Sequence, residues 1–145
     1  MRLLITALFG LLLLPLTGNA ENSTAAGEYT IHHNALTTDT LNPQVAASYG
    51  IQRSNNRGMV TVSIVKQVPG TTGQSVAGKI KMTTRNLMGQ PREIPLREVR
   101  EGKAIYYIAD FPVANREHLM FDIDATVPGE TYPLKARFEQ EFFTE

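Results

Sequence analysis

The chain has 145 residues with no cysteine and no tryptophan, and its 14 basic and 14 acidic residues cancel. Without cysteine there is no disulfide, no thiolate nucleophile and no thiolate metal site. Charge neutrality gives no electrostatic footprint for nucleic acid or anionic lipid. The length suits one domain better than two.

The first 20 residues read as a leader rather than as part of the fold. Arg2 is a short positive start, Leu3 to Leu14 is an apolar run that Pro15 breaks, and Gly18-Asn19-Ala20 offers small residues to a signal peptidase. The run is much shorter than the ~20 residues that span a bilayer, so cleavage after Ala20 is expected rather than a retained anchor. Removing residues 1–20 takes away Arg2 and no acid, leaving 13 basic against 14 acidic residues, and no cysteine remains for lipidation. A disulfide-free exported domain of this size fits a bacterial periplasm, held by its hydrophobic core, and no membrane contact is expected after cleavage.

Glu21 to Gly27 is small and polar, and is expected as a flexible tail ahead of a domain at residues 28–145. Glu28 to Leu36 contains a strand, with Tyr29, Ile31, His33 and Ala35 on one parity. Leu41 to Ile51 carries the one helix signal. Asn42 is an N-cap, Pro43 suits the first helical position, and Gly50 supplies a left-handed end. Val45 and Tyr49, four apart, predict the side that packs on the sheet. Met59 to Val68 and Ser75 to Arg85 are strands separated by the breakers Pro69, Gly70 and Gly73. Arg92 to Val99 contains Pro95, which cannot donate to a ladder, so it belongs at an edge. A turn at Glu101-Gly102 leads into Ala104 to Phe111, whose Ile105-Tyr106-Tyr107-Ile108 suits a strand covered on both faces.

The clearest stretch is Arg116 to Glu130. Leu119, Phe121, Ile123, Ala125 and Val127 share one parity, and His118, Met120, Asp122, Asp124 and Thr126 the other. That period of two predicts a strand with one dry and one wet face, ended by Pro128-Gly129. The chain then alternates again from Thr131 to Phe138, and its last strand runs from Tyr132 to Phe143. Seven strands so spaced predict an all-β, immunoglobulin-like antiparallel β-sandwich with one short helix; a small closed barrel is the alternative.

No catalytic constellation emerges. There is no Gly-x-Ser-x-Gly elbow and no phosphate-binding glycine loop, and Ser63, His32 and Asp110 form a triad only on paper. Asp122 and Asp124, ~7 Å apart on one strand face, could share a cation but read better as a solvated, charge-guarded surface. His118 and Met120 form a His-x-Met pair on that face, suitable in type for cuprous ion if Met59, Met82, Met88, His32 or His33 comes close. The stretch Arg53-Ser54-Asn55-Asn56-Arg57 is dense in multivalent donors, which makes Arg53, Asn55, Asn56 and Arg57 candidate binding residues.

Tyr29-Thr30-Ile31-His32-His33-Asn34-Ala35, Leu41-Asn42-Pro43 with Val45-Ala46, Tyr49-Gly50-Ile51 and Arg53-Ser54-Asn55-Asn56-Arg57-Gly58 together resemble a family of small exported proteobacterial proteins, domain of unknown function 4426. The resemblance covers nearly the whole chain after the leader. It implies a periplasmic β-sandwich-like domain and brings no activity, catalytic residue or ligand with it. The expectation is therefore a non-enzymatic accessory or interaction module for a protein or small ligand, without a cofactor. A periplasmic protein handling cuprous ion is the alternative.

Overall fold

The computed structural model describes residues 22–145; the expected leader lies outside the described residues. Ten strands and one α-helix follow in order: β1 (Ser23–Ala26), β2 (Tyr29–Thr37), α1 (Pro43–Tyr49), β3 (Arg57–Lys66), β4 (Gln74–Ser75), β5 (Lys79–Arg85), β6 (Pro91–Ile94), β7 (Arg97–Glu101), β8 (Ala104–Pro112), β9 (Glu117–Thr126) and β10 (Leu134–Phe142). A short 3-10 turn (Thr38–Thr40) separates β2 from α1. The strands form two antiparallel sheets packed as a sandwich. The first has the order β1-β2-β3-β8-β7, with β4 also on β3, and the second the order β10-β9-β5-β6.

Ten strands stand where seven were expected, for three reasons. Ser23–Ala26, expected as flexible tail, is β1: it pairs with Tyr29–His32, and Thr24 Oγ1 hydrogen-bonds His33 Nε2 at 3.1 Å. Small side chains lose little freedom when ordered, so a backbone ladder suffices to hold them. Ser75 to Arg85 is broken because Val76–Gly78 crosses from one sheet to the other. A Cβ on Gly78 would lie 2.9 Å from the Thr126 carbonyl oxygen, an approach open only to glycine. Arg92 to Val99 divides around Pro95 into β6, an edge of the second sheet, and β7, an edge of the first. Both pieces are edge strands, as expected of the stretch around Pro95, but the proline itself lies in neither and marks the crossing between them.

The main core lies between the sheets. Ile31, Val60, Val62 and Ile64 face Met82, Phe121, Ile123 and Ala125, all shielded from solvent. Three rings stack through it face to face: His33 on Phe138 (centroids 4.4 Å apart) and Phe138 on Phe121 (4.6 Å). Phe142 meets Phe111 edge-on at 5.9 Å. A smaller core lies on the outer face of the first sheet, where Ile51, Met59 and Ile108 are buried with Leu36, Leu41, Tyr49, Val99 and Tyr106 around them.

That second core is roofed by α1 and its flanks. Asn42 Oδ1 accepts the Gln44 N–H at 2.8 Å, Pro43 opens the helix, and Gly50 ends it at φ 66°. These caps are the expected ones. The buried side is not: Ala46 is shielded and Val45 is 40% exposed. With barely two turns, the helix is aligned by its anchors, Ile51 below and the Tyr49 hydroxyl, which donates to Glu101 Oε1 at 2.5 Å. The Arg97 guanidinium also donates to the Tyr49 carbonyl, tying the helix end to β7.

Candidate functional site

The segment from Gln52 to Arg57 brings the chain from α1 into β3, and its shape is set from beneath by Thr38. That side chain is fully buried. Its hydroxyl donates to the Gln52 carbonyl at 2.8 Å, with the Ser54 carbonyl at 3.0 Å, and accepts the Ser54 N–H at 2.8 Å. Arg57 pairs with Asp110 on β8 through two N–H groups, at 2.7 and 3.0 Å, both side chains being about one-third exposed. Asn55 Nδ2 donates to the Thr144 carbonyl (2.8 Å), and Arg53 Nη2 to the Asp39 carbonyl (2.8 Å). Asn56 receives the Ser54 hydroxyl, and its own carbonyl accepts the Val113 N–H at 2.9 Å.

The four candidate binding residues thus lie together but do different work. Arg57 is turned inward to Asp110. Arg53, Asn55 and Asn56 are exposed on a backbone held from several directions. Thr38 is the residue that sequence reading missed. Its only signal was a hydroxyl among polar neighbours, and its partners lie 14 and 16 positions away.

The second candidate region is the outer face of the second sheet. His118, Met120, Asp122 and Asp124 alternate along β9 with their side chains half-buried, opposite Glu141, Glu139, Arg137 and Lys135 of β10. Arg137 meets Asp122 at 2.6 Å and Lys135 meets Asp124 at 2.8 Å, so both acids are paired to cations. His118 Nε2 lies 2.9 Å from Glu139 Oε2, and Met120 stands between Glu139 and Arg85 in the ladder.

Of the residues that could complete a site with His118 and Met120, Met82 is in the main core and Met59 lies in the second core. His32 and His33 are on β2 of the other sheet, where burial pushes the His33 imidazole below its usual affinity for protons. Only Met88 comes from a neighbouring element, the turn that leaves β5 just after Arg85. Among the described residues no group of three or more histidine, aspartate or glutamate side chains is placed to hold a metal ion.

The paper triad is likewise not assembled. His32 and Ser63 are ladder partners, while Asp110 is held by Arg57.

No curated protein is significantly similar to the chain. Among solved structures, a DUF4426 family protein from Pseudomonas aeruginosa PAO1 superposes with a TM-score of 0.71 at 28% identity, over 85% of this chain and 94% of that one. FetP of uropathogenic Escherichia coli strain F11, recombinantly expressed in the periplasm of E. coli BL21(DE3), superposes with a TM-score of 0.58 at 13% identity, over 83% of this chain and 92% of that one. A copper-bound variant of FetP gives 0.59 at 12% identity, over 83% and 93%. At such identities the likeness to FetP is one of fold. The family described as a domain of unknown function, DUF4426, matches residues 23–145, and the chain belongs to that family.

Proposed function

We propose that the protein is a non-enzymatic periplasmic accessory or interaction module that binds a protein or small ligand at the Arg53–Arg57 loop beside α1. One observation carries the reading: the loop is fixed from below and open above. Thr38, the Arg57–Asp110 pair and the Asn55–Thr144 bond hold its backbone, while Arg53, Asn55 and Asn56 stay exposed. A ligand meeting donors that are already ordered is spared most of the entropy cost of fixing them. Arg53 gives one N–H to Asp39 and keeps the rest of its planar fork for a carboxylate or carbonyl.

The test is a crosslinking capture from the periplasm with wild type and an Arg53→Ala, Asn56→Ala variant side by side. A partner held by the first and lost by the second is expected; equal capture by both removes the loop from the site. Export, supported by the pattern of residues 1–20, is checked by intact mass, which should correspond to a chain beginning at Glu21.

A second reading has its own observation. His118 and Met120 share one accessible strand face, and Glu139 lies against His118 Nε2, as carboxylates that orient a metal-ligating imidazole do. Nδ1 is the nitrogen left for a metal. The copper-bound FetP variant, built on the same fold, lends support. Cuprous ion under reducing conditions should then raise the melting temperature of wild type, and not that of a His118→Ala, Met120→Ala variant. Equal responses would end this reading.

A further inference from the structure

A cleft of about 600 Å3 opens where β6 gives way to β7. Ile80, Leu96, Pro128 and the ring of Tyr107 make much of its lining, with Glu98 adding charge. Its polar groups are partly spoken for already. The Tyr107 hydroxyl accepts the Gly78 N–H at 2.9 Å and faces Glu98 at 3.3 Å, and Glu98 also pairs with Arg100.

The cleft exists because of Pro95. β6 pairs with β5 only from Met82 to Arg85, and the chain then leaves for the other sheet. β9 continues along β5 as far as Lys79. Lys79, Ile80 and Lys81 therefore have a strand on one side and, among the described residues, none on the other. Successive residues of a strand turn their N–H and C=O groups alternately to its two edges, so this edge offers unpaired backbone groups directly above an apolar cleft.

We propose that this open half of β5 binds an extended acidic peptide, which adds as a strand alongside Lys79–Lys81. A residue opposite Ile80 would point into the cleft, where an apolar side chain is favoured. Residues opposite Lys79 and Lys81 would point to the outer face. Both lysines are exposed, and neither forms an ion pair among the described residues; the nearest acid in the ladder, Asp124, is taken by Lys135. Opposite charges across a ladder are favourable and like charges are not, so the recognised pattern is acidic, apolar, acidic. The same rule disfavours a second copy of this chain as occupant, since antiparallel pairing about Ile80 would set lysine against lysine. The site is separate from the Arg53–Arg57 loop, and either can fail without the other.

The experiment titrates 15N-labelled protein with three end-blocked hexapeptides: alternating Glu and Val, alternating Lys and Val, and the first with every amide N-methylated. The Glu–Val peptide should shift the amides of Lys79–Lys81 and bind at least tenfold more tightly than Lys–Val. Methylation should abolish binding, because it removes the donors that a ladder needs. A Lys79→Glu, Lys81→Glu variant, altered only at exposed positions, should reverse the preference between the charged peptides. Equal binding of both charges, undiminished binding of the methylated peptide, or shifts confined to other residues would overturn the proposal.

Discussion

The outer faces of the two sheets meet opposite fates. On the first sheet, Met59, Ile108, Leu36, Val99 and Tyr106 turn outward and are roofed by α1, Leu41 and Ile51. On the second, β9 and β10 turn outward a checkerboard of acids and bases that pair across the ladder and stay in water. The amino-acid pattern records the difference. β8 reads Ala-Ile-Tyr-Tyr-Ile-Ala-Asp-Phe-Pro, nearly continuous in apolar residues, whereas β9 alternates strictly. A strand that is apolar on both parities requires a lid, and here a helix of only seven residues provides it.

If the cores are as unequal as this contrast implies, substitutions should rank accordingly. Phe121→Ala removes a fully buried ring that touches Phe111, Phe138 and Phe142, and should cost about 3–5 kcal/mol in urea unfolding. A loss below about 2 kcal/mol would mean that the sheets do not depend on the stacked rings. Met59→Ala, under the helix, should cost about 2–3 kcal/mol and lower hydrogen-exchange protection in α1 before that in β9. Unchanged protection of α1 would show that the lid does not rest on this face.

Gly50→Val should cost more than about 1 kcal/mol, because a β-branched residue is strained at φ 66° and the helix end loses its cap. An unaltered melting temperature would mean that the turn does not hold α1 in place.

The main core also contains a titratable ring, and the exposed sheet face tests the same contrast. Burial first, and the neighbouring His32 second, lower the proton affinity of folded His33 below its ordinary value of 6.5. Below that pH the unfolded chain takes up the proton more readily, so this contribution is complete above about 6.5 and is lost as the pH falls through the lower folded value. The urea midpoint should drop on acidification, and His33→Phe, which keeps a ring on Phe138, should flatten the slope. Equal slopes would mean that His33 is not the group titrating. Asp122→Asn, on the exposed face, should change stability least, by within about 0.5 kcal/mol; a much larger loss would make the checkerboard structural rather than merely solvated.

What could be read in advance was local. Asn42, Pro43 and Gly50 announce a helix because caps act within a few residues, and the parity of Leu119 to Val127 announces a strand for the same reason. Which sheet a strand joins is a non-local matter, so the crossings at Val76–Gly78 and Pro95 looked like continuous strands. Helical spacing alone puts Val45 on the packed side, yet the anchors Tyr49 and Ile51 rotate that side to Ala46. At the sites, sequence placed the donors but not their use. Nothing near Arg57 says that it will meet Asp110, 53 positions on, and the His-x-Met pattern does not say that register sets Glu139 against the imidazole.

The ring stack bears on the order of events during folding. Phe111, Phe121, Phe138 and Phe142 all come from the last quarter of the sequence, and His33, which caps their stack, comes from β2. Contacts between chain segments so far apart close slowly and late. A nascent chain that ends before β9 has only β5 and β6 of the second sheet to lay across β2 and β3, so the sandwich cannot close until β9 and β10 have been made. Until then the apolar faces of β2, β3 and β8 are incompletely covered, and aggregation rather than unfolding is the hazard this architecture must survive.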